Sequence, residues 1–145
     1  MKHYTPESFS LTDSVGFLLT KARNLLAAEM DTSLKDLDIT GPQMGILVGM
    51  QSGLAATPFE LSKMLSVDTG LMTRMLDKLE VKGLLERSRS VDDRRVVNLV
   101  LTKKGAEIAN EIPKLVPEVL NARLKKFTKA EFNELCRLLD KFIGE

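Results

Sequence analysis

Histidine and cysteine are nearly missing from this chain of 145 residues, which has one of each, His3 and Cys136. A lone cysteine closes no internal disulfide, and too few histidines and cysteines remain to build a zinc site. No apolar run approaches the roughly 20 residues that a membrane-spanning helix needs. A signal-peptide core is also lacking, so a cytoplasmic location is expected. There is no GxSxG nucleophile turn and no glycine-rich phosphate loop. Carboxylates are plentiful, but they fall on helix faces or at caps rather than as a spaced acid–base pair. Nothing here motivates an enzyme, a metal or a cofactor. Strong basicity is absent too, because the formal net charge is only +1.

What is present is the ordinary composition of a folded protein, 43% hydrophobic and 28% charged. The length suits one domain, or a small module joined to a dimerisation element. Charge is distributed unevenly. Between Thr57 and Gly105 there are ten Lys/Arg against seven Asp/Glu, and four arginines fall between Arg87 and Arg95. They lie in LLERSRSVDDRRVVNLVLT, Leu84 to Thr102, where a strand-like stretch meets a charged tip and a second alternating strand follows. A positively tipped hairpin of this kind suits a polyanion.

Helical periodicity organises the rest. A first helix is expected over Leu11 to Asp36, on Leu11, Val15, Leu18, Leu19, Ala22, Leu25, Leu26 and Met30. Thr40 caps a second, with Pro42 in its first turn and Gly53 after its end. Thr57, Pro58 and Glu60 predict a capping box for a short third helix ending near Leu65 and Ser66. Asp68 caps a fourth through Lys82, with Gly83 as its stop. Thr102 caps a fifth from Lys103 to about Lys114, with Pro113 and Pro117 marking a bend or break. Thr128 and Glu131 box the last helix, which carries Phe132, Leu135, Leu138, Leu139 and Phe142. Two helices joined by a turn and followed by a hairpin outline a winged helix-turn-helix. The fold class expected is therefore mainly α with a small β-hairpin wing. Residues 1–36 and 106–145 are expected to be dimerisation helices, and 37–105 the winged module.

The sequence resembles the MarR family of bacterial transcription regulators over nearly the whole chain, and follows the family pattern closely from Glu60 to Gly105. The resemblance rests on the leucine register of the fourth helix, K-G-L-L-x-R at Lys82 to Arg87, D-x-R at Asp93 and Arg95, and L-T-x-x-G at Leu101 to Gly105. It implies a homodimer with interlocked terminal helices, bound to a pseudo-palindromic site on double-stranded DNA. It further implies a repressor released by a small acidic or aromatic ligand. An architectural or protein-interaction module without sequence readout is the alternative.

On the fourth helix, Thr69 and Gly70 allow close approach, and Thr73 faces a base, a phosphate or a thymine methyl. Arg74 is the candidate reader of guanine, and Lys78 a phosphate contact. A solvated Arg/Lys face is the competing account. On the hairpin, Arg94 and Arg95 extend past the tip, where arginine suits a narrow minor groove. By resemblance Arg95 holds the wing-arginine position, with Asp93 orienting it or bracing the wing; Arg94 is the phosphate candidate, and either arginine can enter the groove. Arg89 and Arg87 lie on the incoming strand, one of them structural. Alternatively the D-D-R-R tip neutralises itself. For an effector, Arg23 is the candidate partner of an acid, with Phe17, Met30 and Met44 as apolar walls. An intersubunit ion pair and core filler are the bland counterparts. Cys136 is expected to be an inert, buried thiol of the dimer helices.

Overall fold

The computed structural model describes residues 1–144. Its elements run α1 (Val15–Leu34), a 3-10 turn (Lys35–Leu37), α2 (Gly41–Gln51), α3 (Pro58–Leu65) and α4 (Thr69–Val81). They continue as β1 (Leu85–Arg89), β2 (Val97–Leu101), α5 (Lys103–Leu124) and α6 (Lys129–Ile143). The winged helix-turn-helix expected from the sequence is present, with long helices before and after it.

Side-chain caps fix most helix starts. Ser14, Thr40, Thr57, Asp68, Thr102 and Thr128 each accept the N3 backbone amide of the helix they precede. Such a cap is worth about 1 kcal/mol. Thr128 and Glu131 form the full box as expected, and so do Thr40 and Gln43. The Thr57 box is only half made. Glu60 Oε1 takes the Thr57 hydroxyl proton at 3.0 Å rather than the Thr57 backbone amide.

Two boundaries differ from expectation. α1 starts at Val15 rather than Leu11, because the Ser14 hydroxyl and amide both donate to the Leu11 carbonyl. That local turn competes with helix. The segment before it is also tied down, since the Val15 amide donates to the Tyr4 hydroxyl at 3.0 Å. The larger correction is α5, which does not break near Lys114 but runs to Leu124 through both prolines. Each proline removes one intrahelical bond and crowds the carbonyl four residues back. Pro113 and Pro117 are four apart and both exposed, so the defects line up on one wetted strip. Ile112, Leu115, Val116 and Val119 keep packing on the core along another strip and hold the helix together.

The core sits inside the winged module. Ile46 and Leu47 of α2, Leu61 of α3, and Met72, Leu76 and Leu79 of α4 meet Leu84, Leu85 and Leu99 of the hairpin. Met30 and Leu34 of α1 and Ala109 and Ile112 of α5 close it from the other side. The strands pair antiparallel with Leu85 opposite Leu101, Arg87 opposite Leu99 and Arg89 opposite Val97. The Leu99 amide also donates to the Ala56 carbonyl at 2.9 Å, pinning the hairpin to the chain before α3. By contrast α6 buries no side chain, and Leu135, Leu138, Phe142 and Ile143 stand exposed. Phe9, Leu11, Val15, Leu18 and Leu25 near the other end are exposed as well. Cys136 is exposed on this isolated chain, so its burial depends on the pairing expected for α6. Among the described residues no helix is long and apolar enough to cross a membrane.

Candidate nucleic-acid interface

Ser66 makes the turn between α3 and α4 in the left-handed region, φ 52°, and Asp68 Oδ1 then accepts the Leu71 amide at 2.8 Å. Met72, Met75, Leu76 and Leu79 are buried, which leaves the other side of α4 in solvent. Thr69, Gly70, Thr73, Arg74 and Lys78 all lie there, as the sequence predicts. Helical side chains lean toward the N-terminus. Arg74 does so, for a Cβ built on Gly70 would stand 3.6 Å from Arg74 Nη1 and 3.2 Å from Asp68 Oδ1. The guanidinium therefore lies over Gly70, beside the Asp68 cap at the leading end of the helix. The Thr73 hydroxyl donates to the Thr69 carbonyl at 2.8 Å. Its proton is therefore engaged, and what it offers a partner is a methyl group and an acceptor lone pair.

The hairpin arginines have separate duties. Arg87 is bound to carboxylates of α4, its Nη2 2.5 Å from Asp77 and its Nε 3.2 Å from Glu80. It is the structural member of the Arg87 and Arg89 pair. Arg89 Nη1 donates across the wing to the Arg94 carbonyl at 2.9 Å. Asp93 accepts the Arg95 amide at 3.0 Å and holds its guanidinium at 3.1 and 3.2 Å, while that side chain is 91% exposed. The brace expected of Asp93 is present. Self-neutralisation is only partial, because Asp92 and Arg94 make no ion pair among the described residues. Arg74 and Lys78 also make none there. Charges left unpaired are free for an external anion.

A family model described as MarR family matches residues 39–97. The Multiple antibiotic resistance protein MarR of Escherichia coli K12 is 41% identical over 111 residues, covering 76% of this chain and 77% of that protein. The chain belongs to the MarR family. The Organic hydroperoxide resistance transcriptional regulator of Bacillus subtilis 168 is 32% identical over 110 residues, covering 74% and 75%. Among solved structures, a mutant of E. coli MarR complexed with operator DNA superposes with TM-score 0.83 at 34% identity, over 92% of this chain and 99% of that one. The Staphylococcus aureus MepR–DNA complex, 21% identical with TM-score 0.80 over 90% and 96%, is alike in fold.

Two MarR motifs acquire physical meaning in this structure that the sequence did not disclose. In L-T-x-x-G, the Thr102 hydroxyl donates to the Gly83 carbonyl at 2.6 Å and its oxygen accepts the Gly105 amide. Gly105 then lies directly against Leu84. In K-G-L-L-x-R, the final arginine is the one that grips α4.

The four residues expected around an effector are not gathered into one cavity. Met30 is buried in the core and Met44 packs against it, while Arg23 is exposed. Phe17 does line a groove of about 350 Å³, together with Thr20, Lys21, Asn24 and Leu25. Its cation is Lys21. Arg23 is six residues from Phe17, which turns it about 120° away around the helix. A second groove of about 640 Å³ is lined by Glu29, Val119, Ala122, Arg123, Lys125, Lys126 and Phe127. There the Arg123 guanidinium clasps Glu29 in a two-pronged pair at 2.9 and 2.5 Å, joining α1 to α5.

The Asp93 clasp has a pH signature. Hydrogen bonds from the Arg95 side chain, then from its backbone, hold the Asp93 carboxyl below its usual 3.8. A lowered carboxylate stabilises the folded wing above the unfolded value, and the effect disappears as pH falls through the folded one. The clasp is therefore expected intact above pH 3.8 and opened further into acid. A carboxyl-carbon NMR titration checks this, and an Asp93 midpoint at or above 3.8 would refute the clasp.

Proposed function

We infer that this protein is a homodimeric, sequence-specific DNA-binding transcription regulator, most simply a repressor whose hold on DNA a small acidic or aromatic ligand relieves. The observation that carries this is one rigid module presenting two different cationic probes side by side. One is the exposed face of α4, whose leading end suits the base edges of a major groove. The other is a braced wing tipped by arginines, suited to the adjacent minor groove. Thr69 and Gly70 permit close approach, Arg74 reads guanine, and Thr73 covers a thymine methyl. Lys78, Arg94 and Arg89 contact phosphates. Arg95 enters the minor groove on exchanging Asp93 for DNA.

Bare apolar faces on α6 and at the start of α1 support pairing, since contiguous exposed apolar surface of this kind is uncommon on monomers. A two-fold dimer with one module per half-site needs half-sites about 34–36 Å apart, or a multiple. The grooves fall in the usual size range of small-molecule sites, about 300–1,000 Å³. In the larger, Glu29 already occupies Arg123, and Lys125 and Lys126 beside Val119 and Phe127 are the cations left to favour a carboxylate on an aromatic ring. In the smaller, Phe17 and Lys21 offer the same chemistry.

Selection of bound duplexes from a random pool at two salt concentrations tests the function. A palindromic consensus enriched at both is expected. Enrichment no better than random, with binding that weakens only with salt, would rule out sequence readout.

A further inference from the structure

The exposed side of α4 contains an electrostatic contradiction. Its first half carries Thr69, Gly70, Thr73 and Arg74, suited to DNA, whereas Asp77 and Glu80 follow on that same exposed side. Two carboxylates beside a phosphate backbone oppose binding. Arg87 accounts for them. On β1 it occupies the sheet face shared with Leu85 and Leu99, where an apolar residue would ordinarily sit. Its guanidinium reaches α4 instead, with Nε and Nη2 each 3.2 Å from the Glu80 carboxylate and Nη2 also 2.5 Å from Asp77. Residues three apart are neighbours on a helix surface, so one planar fork can bridge both. The Arg87 side chain is 28% exposed, well packed for a charged residue on a hairpin.

The grip falls where a lever needs it. Leu85 and Leu101 close the base of the hairpin, Leu99 opposite Arg87 ties the middle of β2 to Ala56, and Arg89 and Asp93 stiffen the tip. None of these hydrogen bonds runs to α4, so none fixes the angle between the hairpin and that helix. Five-residue strands span about 17 Å, so a tilt of about 10° displaces the tip by about 3 Å, enough to lose a hydrogen bond. Arg87 ties the middle of β1 to α4 and opposes that tilt.

We propose that Arg87, clamped by Asp77 and Glu80, is a positioning residue for DNA recognition, fixing the span between α4 and the wing so that Arg74 and Arg95 reach adjacent grooves together. This rests on the DNA-binding function above.

The decisive variant is Asp77→Asn with Glu80→Gln in the full-length protein. Charge alone predicts tighter binding to every duplex, because two negative groups are removed. The clamp predicts the opposite for specificity. Preference for the selected duplex over a scrambled one falls about tenfold, while affinity for the scrambled duplex holds or rises. The wing also stops contributing: Arg95→Ala, costing about tenfold in the unaltered protein, costs less than about twofold in the double variant. Arg87→Lys keeps the charge but supplies a point donor, so it shows an intermediate preference and gives the same readout if the double variant does not fold. An unchanged preference and an unchanged Arg95→Ala cost, with helical circular dichroism intact, would overturn the proposal. If the unaltered protein shows no preference at all, the DNA-recognition function itself falls, which is a separate and recognisable result.

Discussion

Gly105→Ala is expected to lower stability by about 3 kcal/mol, the upper end of what overpacking a well-filled site costs. The reason is backbone geometry. A Cβ at residue 105 would lie 1.9 Å from the Leu84 carbonyl oxygen and 2.8 Å from its carbon. Neither atom can rotate aside. The Leu84 carbonyl is already in use, accepting the Thr102 amide at 3.1 Å, so moving it disturbs both the hairpin exit and the cap of α5. Helix propensity predicts the other sign, because alanine is better than glycine inside a helix by about 1 kcal/mol. The two effects differ in direction, which makes the variant decisive. In a chain of this length the loss corresponds to a fall in Tm of roughly 6–12 °C. Thermal unfolding at one fixed protein concentration checks it, because pairing makes the midpoint concentration-dependent. A Tm that is unchanged or raised would show that α5 and Leu84 are not in contact.

Gly105 also marks the boundary of what the sequence discloses. Read locally it is only a weak residue in the first turn of a helix, and its purpose depends on a carbonyl 21 positions earlier. Features set within a few residues were readable. Asp68 and Thr128 announce their helices because capping is local chemistry, and the periodicity of α4 separates Met72, Leu76 and Leu79 from Thr69, Thr73 and Arg74. Features decided by tertiary contact were not. Pro113 and Pro117 signal a break by every local rule, yet α5 survives because Ile112, Val116 and Val119 are anchored elsewhere. Arg87 and Arg89 are equivalent in sequence, and only the packing of β1 on α4 shows which is committed to Asp77 and Glu80. Near Phe17, sequence favours Arg23 as the cation, whereas the groove is lined by Lys21.

The same division applies to recognition. The wing arginines were legible as a charged tip, but their number overstates what is available. Of the four, Arg87 is spent on α4 and Arg95 is lent to Asp93, while Arg89 braces the turn through the Arg94 carbonyl, so among the described residues Arg89 and Arg94 are the two without an ion pair. Releasing Arg95 requires a competing anion at least as well placed as Asp93, and a phosphate-lined minor groove supplies one. On the proposed function, the wing contact is therefore expected to be completed only on arrival at DNA, when Arg95 leaves Asp93. Discrimination between sequences is then expected to come mainly from α4.

Arg74→Ala should therefore erase more specificity than any other single change on that helix. Losing a two-pronged contact to guanine costs about 1–3 kcal/mol of discrimination, a roughly 5- to 150-fold fall in preference for the selected duplex. The geometry that makes this the strongest case is the forward lean of Arg74 over Gly70, beside the Asp68 cap. Binding measured across several salt concentrations, on selected and scrambled duplexes, separates base reading from charge. Arg74→Ala is expected to weaken the selected duplex far more than the scrambled one. Lys78→Ala is the internal control, expected to weaken both about equally and to reduce the salt slope by roughly one. Equal losses on both duplexes for Arg74→Ala would place its guanidinium on a phosphate and pass base reading to Thr69 and Thr73. Those two offer a methyl group and few free donors, since the Thr73 hydroxyl proton is held by Thr69. A helix reading DNA through them alone could favour thymine-rich steps but could not distinguish guanine, so a guanine in the selected consensus would point back to Arg74.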